Sequence, residues 1–213
     1  MTDKFIQSLE AKRIVPLVQS SDTVTALRIA EALLEGGIDV LEVVLRTDAA
    51  LECLEAIAKE FPHAHVGAGT VLCAEQTKEV IRRGASFIVS PGLDPASVVV
   101  ARKAGLPIFP GISTATELQQ AWNLGLKTVK LFPAGLVGGP KLLKALSSVF
   151  RDVRFMPTGG VSAANLDEFL ALPSVIACGG SWLTPAAAVD AGDYEVITNL
   201  AREAVEIASA ARP

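Results

Sequence analysis

Aromatic side chains are scarce in this sequence: Phe, Trp and Tyr make up 5% of its 213 residues, while half of all residues are hydrophobic. A core of that composition must be built from Ala, Val, Leu and Ile, which favours many small helix-on-strand contacts over a few aromatic anchors. Cysteine is sparse as well. Cys53, Cys73 and Cys178 are odd in number, far apart and without metal-ligand spacing, so free thiols in a reducing cytoplasm are the economical reading. Runs of Lys or Arg are missing and the net charge is -4, which argues against a nucleic-acid partner. Charges and glycines interrupt each apolar stretch well short of a membrane span. The first twelve residues carry Asp3, Lys4, Glu10 and Lys12, which excludes the apolar segment of a secretory signal there.

What the sequence has instead is a repeat. After a short opening helix with Phe5, Ile6 and Leu9 on one stripe, apolar runs recur at Arg13–Val18, Ile38–Leu45, His65–Val71, Ser86–Val89, Pro107–Pro110, Thr128–Phe132, Val153–Pro157 and Val175–Cys178. Helical segments lie between them. Asp22 reads as an N-cap and Gly36-Gly37 as the stop of the helix it begins; Ser162 and Asn165 stand at the start of another. Gly84, Gly105 and Gly125 each close a helix just before the next strand. Eight strand–helix alternations, one every ~20–25 residues, predict an α/β fold: a single (β/α)8 TIM barrel over residues 1–213, with short strands apolar on both faces. A doubly wound open sheet is the rival, but Val18-Gln19-Ser20-Ser21-Asp22, after the first strand, has no glycine for a dinucleotide loop.

Barrel enzymes carry their chemistry at the C-terminal ends of the strands. Polar residues or glycines stand at nearly every such position here: Glu42 and Arg46 on strand two, Gly69-Thr70 on three, Ser90-Pro91-Gly92 on four and Pro110-Gly111 on five. Strand six offers Lys130 and Phe132, strand seven Thr158-Gly159-Gly160, and strand eight is followed by Gly179-Gly180-Ser181. Lys130 decides the chemistry. An ammonium inside an apolar strand is costly unless it is paired or serves as an amine nucleophile. Side chains alternate along a strand, so Glu42 and Arg46 share a face, with Arg46 nearer the mouth. Glu42 is the natural partner for Lys130, and Arg46 a fixed cation above them. The bland alternatives are a snorkelling lysine, a structural ion pair and a solvated arginine. Glycine pairs after strands seven and eight, with Ser181, suggest a phosphate cradle, against the alternative that they merely turn the chain.

Other residues carry less. His63 and His65 enter strand three at the wrong end for a barrel site and read as exposed loop residues; no carboxylates complete a metal site around them. Cys73 lacks a base and reads as packing. Trp122 and Trp182 read as fillers of helix and loop contacts, and Val98-Val99-Val100 as helix core.

The set Glu42-Val43-Val44-Leu45-Arg46-Thr47, Gly67-Ala68-Gly69-Thr70-Val71, Ser90-Pro91-Gly92, Lys130-Leu131-Phe132-Pro133-Ala134, Pro157-Thr158-Gly159-Gly160 and Gly179-Gly180-Ser181-Trp182-Leu183 resembles the 2-keto-3-deoxy-6-phosphogluconate (KDPG) aldolases. Bifunctional members that also cleave 4-hydroxy-2-oxoglutarate (KHG) share this pattern. The resemblance runs along nearly the whole chain, in order and with matching spacing. It implies a cytoplasmic homotrimer that needs no metal or cofactor and acts on a phosphorylated keto acid and on pyruvate. It implies a Schiff base at Lys130 and proton transfer by Glu42. Arg46 and Thr70 would hold the pyruvate carboxylate, and Pro91 and Phe132 would line the pocket. Thr158 would meet the sugar-derived hydroxyls, and Gly159, Gly160 and Ser181 the phosphate. The loop Gly135-Leu136-Val137 departs from the more polar start usual after the lysine motif. Activity on the phosphogalactonate epimer, or a catalytically silent phosphosugar-binding barrel, are the alternatives.

Overall fold

The computed structural model describes residues 2–211, with side chains from Phe5 onward. A first helix, α1 (Thr2–Lys12), leads into a regular alternation: β1 (Ile14–Val18), α2 (Thr23–Glu35), β2 (Val40–Val44), α3 (Ala50–Glu60), β3 (His65–Gly69) and α4 (Ala74–Arg82). It continues with β4 (Ile88–Ser90), α5 (Pro95–Lys103), β5 (Ile108–Ile112), α6 (Ala115–Asn123), β6 (Thr128–Leu131) and α7 (Gly139–Val149). The last elements are β7 (Arg154–Pro157), α8 (Leu166–Leu170), β8 (Cys178–Gly180), α9 (Ala186–Ala191) and α10 (Tyr194–Ala210). All strand pairs are parallel, in the order β7-β6-β5-β4-β3-β2-β1-β8, and bridges Phe155–Val175 and Thr158–Gly179 bring β7 back to the β8 side. The sheet is a nearly closed (β/α)8 barrel.

Local chemistry accounts for the punctuation. Asp22 caps α2 by accepting from the Thr25 N–H, and Asp94 caps α5 by accepting from Ala96 and Ser97. Thr114 and Glu117 form a reciprocal capping box at α6. Gly84, Gly105 and Gly125 lie at φ +92°, +69° and +77°, the left-handed turn that an L side chain resists, and each lets its helix reverse into the next strand.

Alternation along the strands sorts the core into two. Ile14, Leu41, Val43, Ala68, Ile88, Val129, Leu131 and Phe155 face outward and merge with the buried sides of the helices. Val15, Val40, Phe87, Val89, Phe109 and Met156 form a separate inner cluster that includes Phe5 and Leu9 of α1. The opening helix thus plugs the N-terminal end of the barrel, with Phe5 stacked on Phe87 at 4.8 Å between ring centres. Above that plug the inward positions change character and become Glu42, Gly69, Gly111, Lys130, Thr158 and Gly179.

Three expectations shift. The eighth strand is Cys178–Gly180 rather than Val175–Cys178, because Ile14, Val15 and Pro16 of β1 pair with Cys178, Gly179 and Gly180. Gly179-Gly180 is therefore strand, not loop. His65 is not an exposed loop residue: it opens β3, half-buried, with Phe5 edge-on at 5.5 Å. Val98 alone of its triplet is core, since Val99 is 49% exposed on the outer side of α5.

Candidate active site

Lys130 enters from the middle of β6 and Glu42 from the middle of β2, across the barrel. Their side chains are 5% and 1% exposed, and Lys130 Nζ lies 3.4 Å from Glu42 Oε1. The other carboxylate oxygen, Oε2, is buried and has no hydrogen-bond partner among the described residues. A buried acceptor left open is costly, and here it sits in the layer where a substrate would meet the lysine. Phe132 is half-buried with its ring centre 5.4 Å from Lys130 Nζ, which screens the amine from water on that side. Lys127, the neighbouring candidate, is at the opposite end of β6. It pairs with Asp152 at 2.5 Å and stands over the Trp122 ring, so it has no path to the mouth.

Arg46 does not join the Lys130–Glu42 pair. It sits exposed at the mouth, where its Nε donates to Thr70 Oγ1 at 3.2 Å. Thr70 has φ +60°, a strained conformation for a β-branched residue. Two residues expected on one carboxylate thus stand side by side, a guanidinium and a hydroxyl at the rim. Pro91 follows β4 and is half-buried; its carbonyl lies so close to Gly111 that a Cβ there would overlap it.

Thr158 is buried against Gly179, whose missing side chain leaves room for the threonine hydroxyl, and Gly180 does the same for the Trp182 ring. Those two glycines therefore serve close packing, which is why they sit in a strand. Gly159 and Gly160, at φ +87° and +83°, form a true loop. Asn165, at the start of α8, ties that loop down by donating to the Gly160 carbonyl at 2.9 Å. The departing Gly135 touches it too: its N–H donates to the Gly159 carbonyl at 2.8 Å, while Leu136 projects into solvent. The Gly135 contact was not readable from spacing, because it joins loops that are distant in sequence; the Asn165 tie spans only five residues, and spacing does not give its direction. Ser181 is exposed and lines, with Arg46, a cavity of about 710 Å³ between the ends of β1, β2 and β8. Lys130 and Glu42 lie deeper and do not line it. Burial pushes the Cys178 thiol well above its ordinary range, in keeping with packing on the outer face of β8. Cys73 stands half-buried at the N-cap position of α4, and no cluster of His, Cys, Asp or Glu suited to a metal ion occurs among the described residues.

The family described as KDPG and KHG aldolase matches residues 5–200. The chain belongs to that family. A KHG/KDPG aldolase of Escherichia coli is 51% identical over 193 residues, covering 91% of each chain. A 2-dehydro-3-deoxy-phosphogluconate aldolase of Dickeya dadantii is 47% identical over 204 residues, covering 96% of each. Among solved structures, KDPG aldolase from Legionella pneumophila, with pyruvate captured as a covalent carbinolamine, matches with a TM-score of 0.89 and 38% identity over 92% of this chain and 96% of that one. As a KDPG and KHG aldolase family member, the protein is a carbon–carbon lyase.

Proposed function

We propose that the protein is a class I aldolase that cleaves KDPG to pyruvate and glyceraldehyde 3-phosphate, and KHG to pyruvate and glyoxylate, through a Schiff base at Lys130. The observation that carries this reading is the buried pair: one amine and one carboxylate, 3.4 Å apart, facing each other inside an aldolase barrel.

Lys130 Nζ attacks the ketone carbon and water leaves, giving an iminium. Glu42 takes the proton of the C4 hydroxyl, the C3–C4 bond breaks, and the aldehyde departs while the bonding pair moves into an enamine. Glu42 then returns its proton to C3, and water hydrolyses the iminium to free pyruvate and the amine. Arg46 and Thr70 hold the keto-acid carboxylate, and their mutual hydrogen bond supports a joint role. Pro91 and Phe132 wall the reacting carbons. Thr158 meets the hydroxyl-bearing carbons, and Gly159, Gly160 and Ser181 take the phosphate. Free N–H groups on a glycine loop and a serine hydroxyl are the donors an anion requires.

In this proposal residues 1–213 form one domain, which assembles as a homotrimer. Exposed Leu72, Leu136 and Val149 supply apolar surface for subunit contacts. Three free cysteines, two of them buried, suit a cytoplasmic location. No helix among the described residues is long and apolar enough to cross a membrane.

Pyruvate release from both keto acids tests the proposal. Lys130→Ala should leave no detectable cleavage of either. Ser181→Ala should raise KM for KDPG by about tenfold, the scale of one hydrogen bond to a charged group, and leave KHG unaffected. Retained turnover in Lys130→Ala would refute the Schiff-base assignment, and an unchanged KDPG to KHG preference in Ser181→Ala would refute the phosphate assignment.

A further inference from the structure

Glu42 owes its position to the residue beside it on the next strand. Val44 of β2 is in register with Gly69 of β3, and the Glu42 side chain, one inward position below Val44, leans along the strand into the space over the Gly69 Cα. A Cβ at residue 69 would overlap Glu42 Oε1 and lie 2.7 Å from both Cγ and Cδ. Carbon atoms pack at about 3.5–4.0 Å, so the carboxylate would have to retreat by roughly 1 Å. Glu42 is fully buried with Lys130 Nζ 3.4 Å from its Oε1, so a retreat on that scale changes the geometry between carboxylate and amine. Gly69 has ordinary strand geometry and is absent from the positive-φ glycines, so a turn does not explain it. A glycine inside a strand weakens it and marks a close approach. Here the approaching group is the carboxylate.

We infer that Gly69 is a positioning residue for the aldol reaction: its missing side chain is the space that holds the Glu42 carboxylate against Lys130. The inference rests on Glu42 as the proton carrier. Misplacing a reacting group by 1 Å costs on the order of 10²-fold in rate.

The test is exchange of the pyruvate methyl protons in deuterium oxide, followed by NMR. This reaction needs the Lys130 iminium and a base able to move the C3 proton. Borohydride trapping with pyruvate on the same proteins reads iminium formation separately. Gly69→Ala should still trap pyruvate on Lys130 yet exchange its methyl protons about 10²-fold more slowly. In a Glu42→Gln background, adding Gly69→Ala should slow exchange no further. Wild-type exchange in Gly69→Ala overturns the inference, and so does a second, multiplied loss in the double variant. Should Gly69→Ala melt too low to assay, the Glu42→Ala, Gly69→Ala double variant decides: a melting temperature restored toward that of Glu42→Ala supports a clash with the carboxylate, and no restoration overturns it. Wild-type exchange in Glu42→Gln would instead remove Glu42 from the proton-transfer role, a failure distinct from any result on Gly69→Ala.

Discussion

Charge burial at single residues is where the chemistry of this barrel begins. Lys130 and Glu42 are each almost completely enclosed, and an enclosed pair of this kind is weak evidence for stability, because desolvation offsets most of the attraction between its members. Function explains it better. Thr70 makes a similar point at the rim, where a β-branched residue is held at φ +60° at a cost of about 1–3 kcal/mol. Its hydroxyl accepts from Arg46, and in the proposed function both hold the keto-acid carboxylate. Thr70→Gly removes the strain and the hydroxyl together. A melting curve of this variant should show no loss of stability, while kinetics should show KM for the keto acid raised by about 10–100-fold. A destabilised variant with unchanged KM would assign Thr70 to packing alone. The buried Lys130–Glu42 pair was legible in the sequence, because charge within an apolar strand has few explanations. Gly69 was not, since its meaning lies in the side chain of another strand. Asn165 was legible only as a helix start, not as the tie to the Gly160 carbonyl.

Elements divide the barrel into an apolar lower end closed by α1 and an upper end that holds the Lys130–Glu42 pair. The plug by α1 makes the lower end dry, and His65 at the start of β3 is caught in that closure between Phe5 and Asp39. Asp39 itself accepts from Ser8 of α1 at 2.7 Å. Burial lowers the His65 pKa below 6.5, with the Asp39 carboxylate pulling the other way. Above pH 6.5 the imidazole is neutral in both folded and unfolded chains, so its contribution is fully present. As pH falls from there through the folded value, the unfolded chain binds a proton that the folded chain resists, and stability drops. Thermal melts between pH 7.5 and 5 should therefore fall less steeply in His65→Gln than in the wild type (~7.5 to ~5 being the window that brackets the ordinary histidine range). Equal slopes would assign the acid sensitivity elsewhere. Strand and helix order, the Asp22 cap and the glycine helix stops were legible because each depends on local periodicity or turn chemistry. The start of β8 was not. Val175-Ile176-Ala177 looks more like a strand than Cys178-Gly179-Gly180, and only the packing of Thr158 and Trp182 explains why the glycines hold the pairing.

At the scale of the whole molecule, the barrel delivers Lys130, Glu42, Arg46 and the Gly159-Gly160 loop from widely separated stretches of chain to one end. The homotrimer belongs to the proposal. Light scattering of the purified protein should give three times the 22.2 kDa chain mass, and a monomer active at full rate would refute the trimer as a requirement. The most direct test of Lys130 as the Schiff-base lysine is reduction by borohydride in the presence of pyruvate, followed by mass spectrometry of the peptides. A Schiff base at Lys130 should leave one carboxyethyl group on that residue, formed only when pyruvate is present and lost in Lys130→Ala. A protein that carries no adduct, or carries it on Lys127 instead, would contradict it.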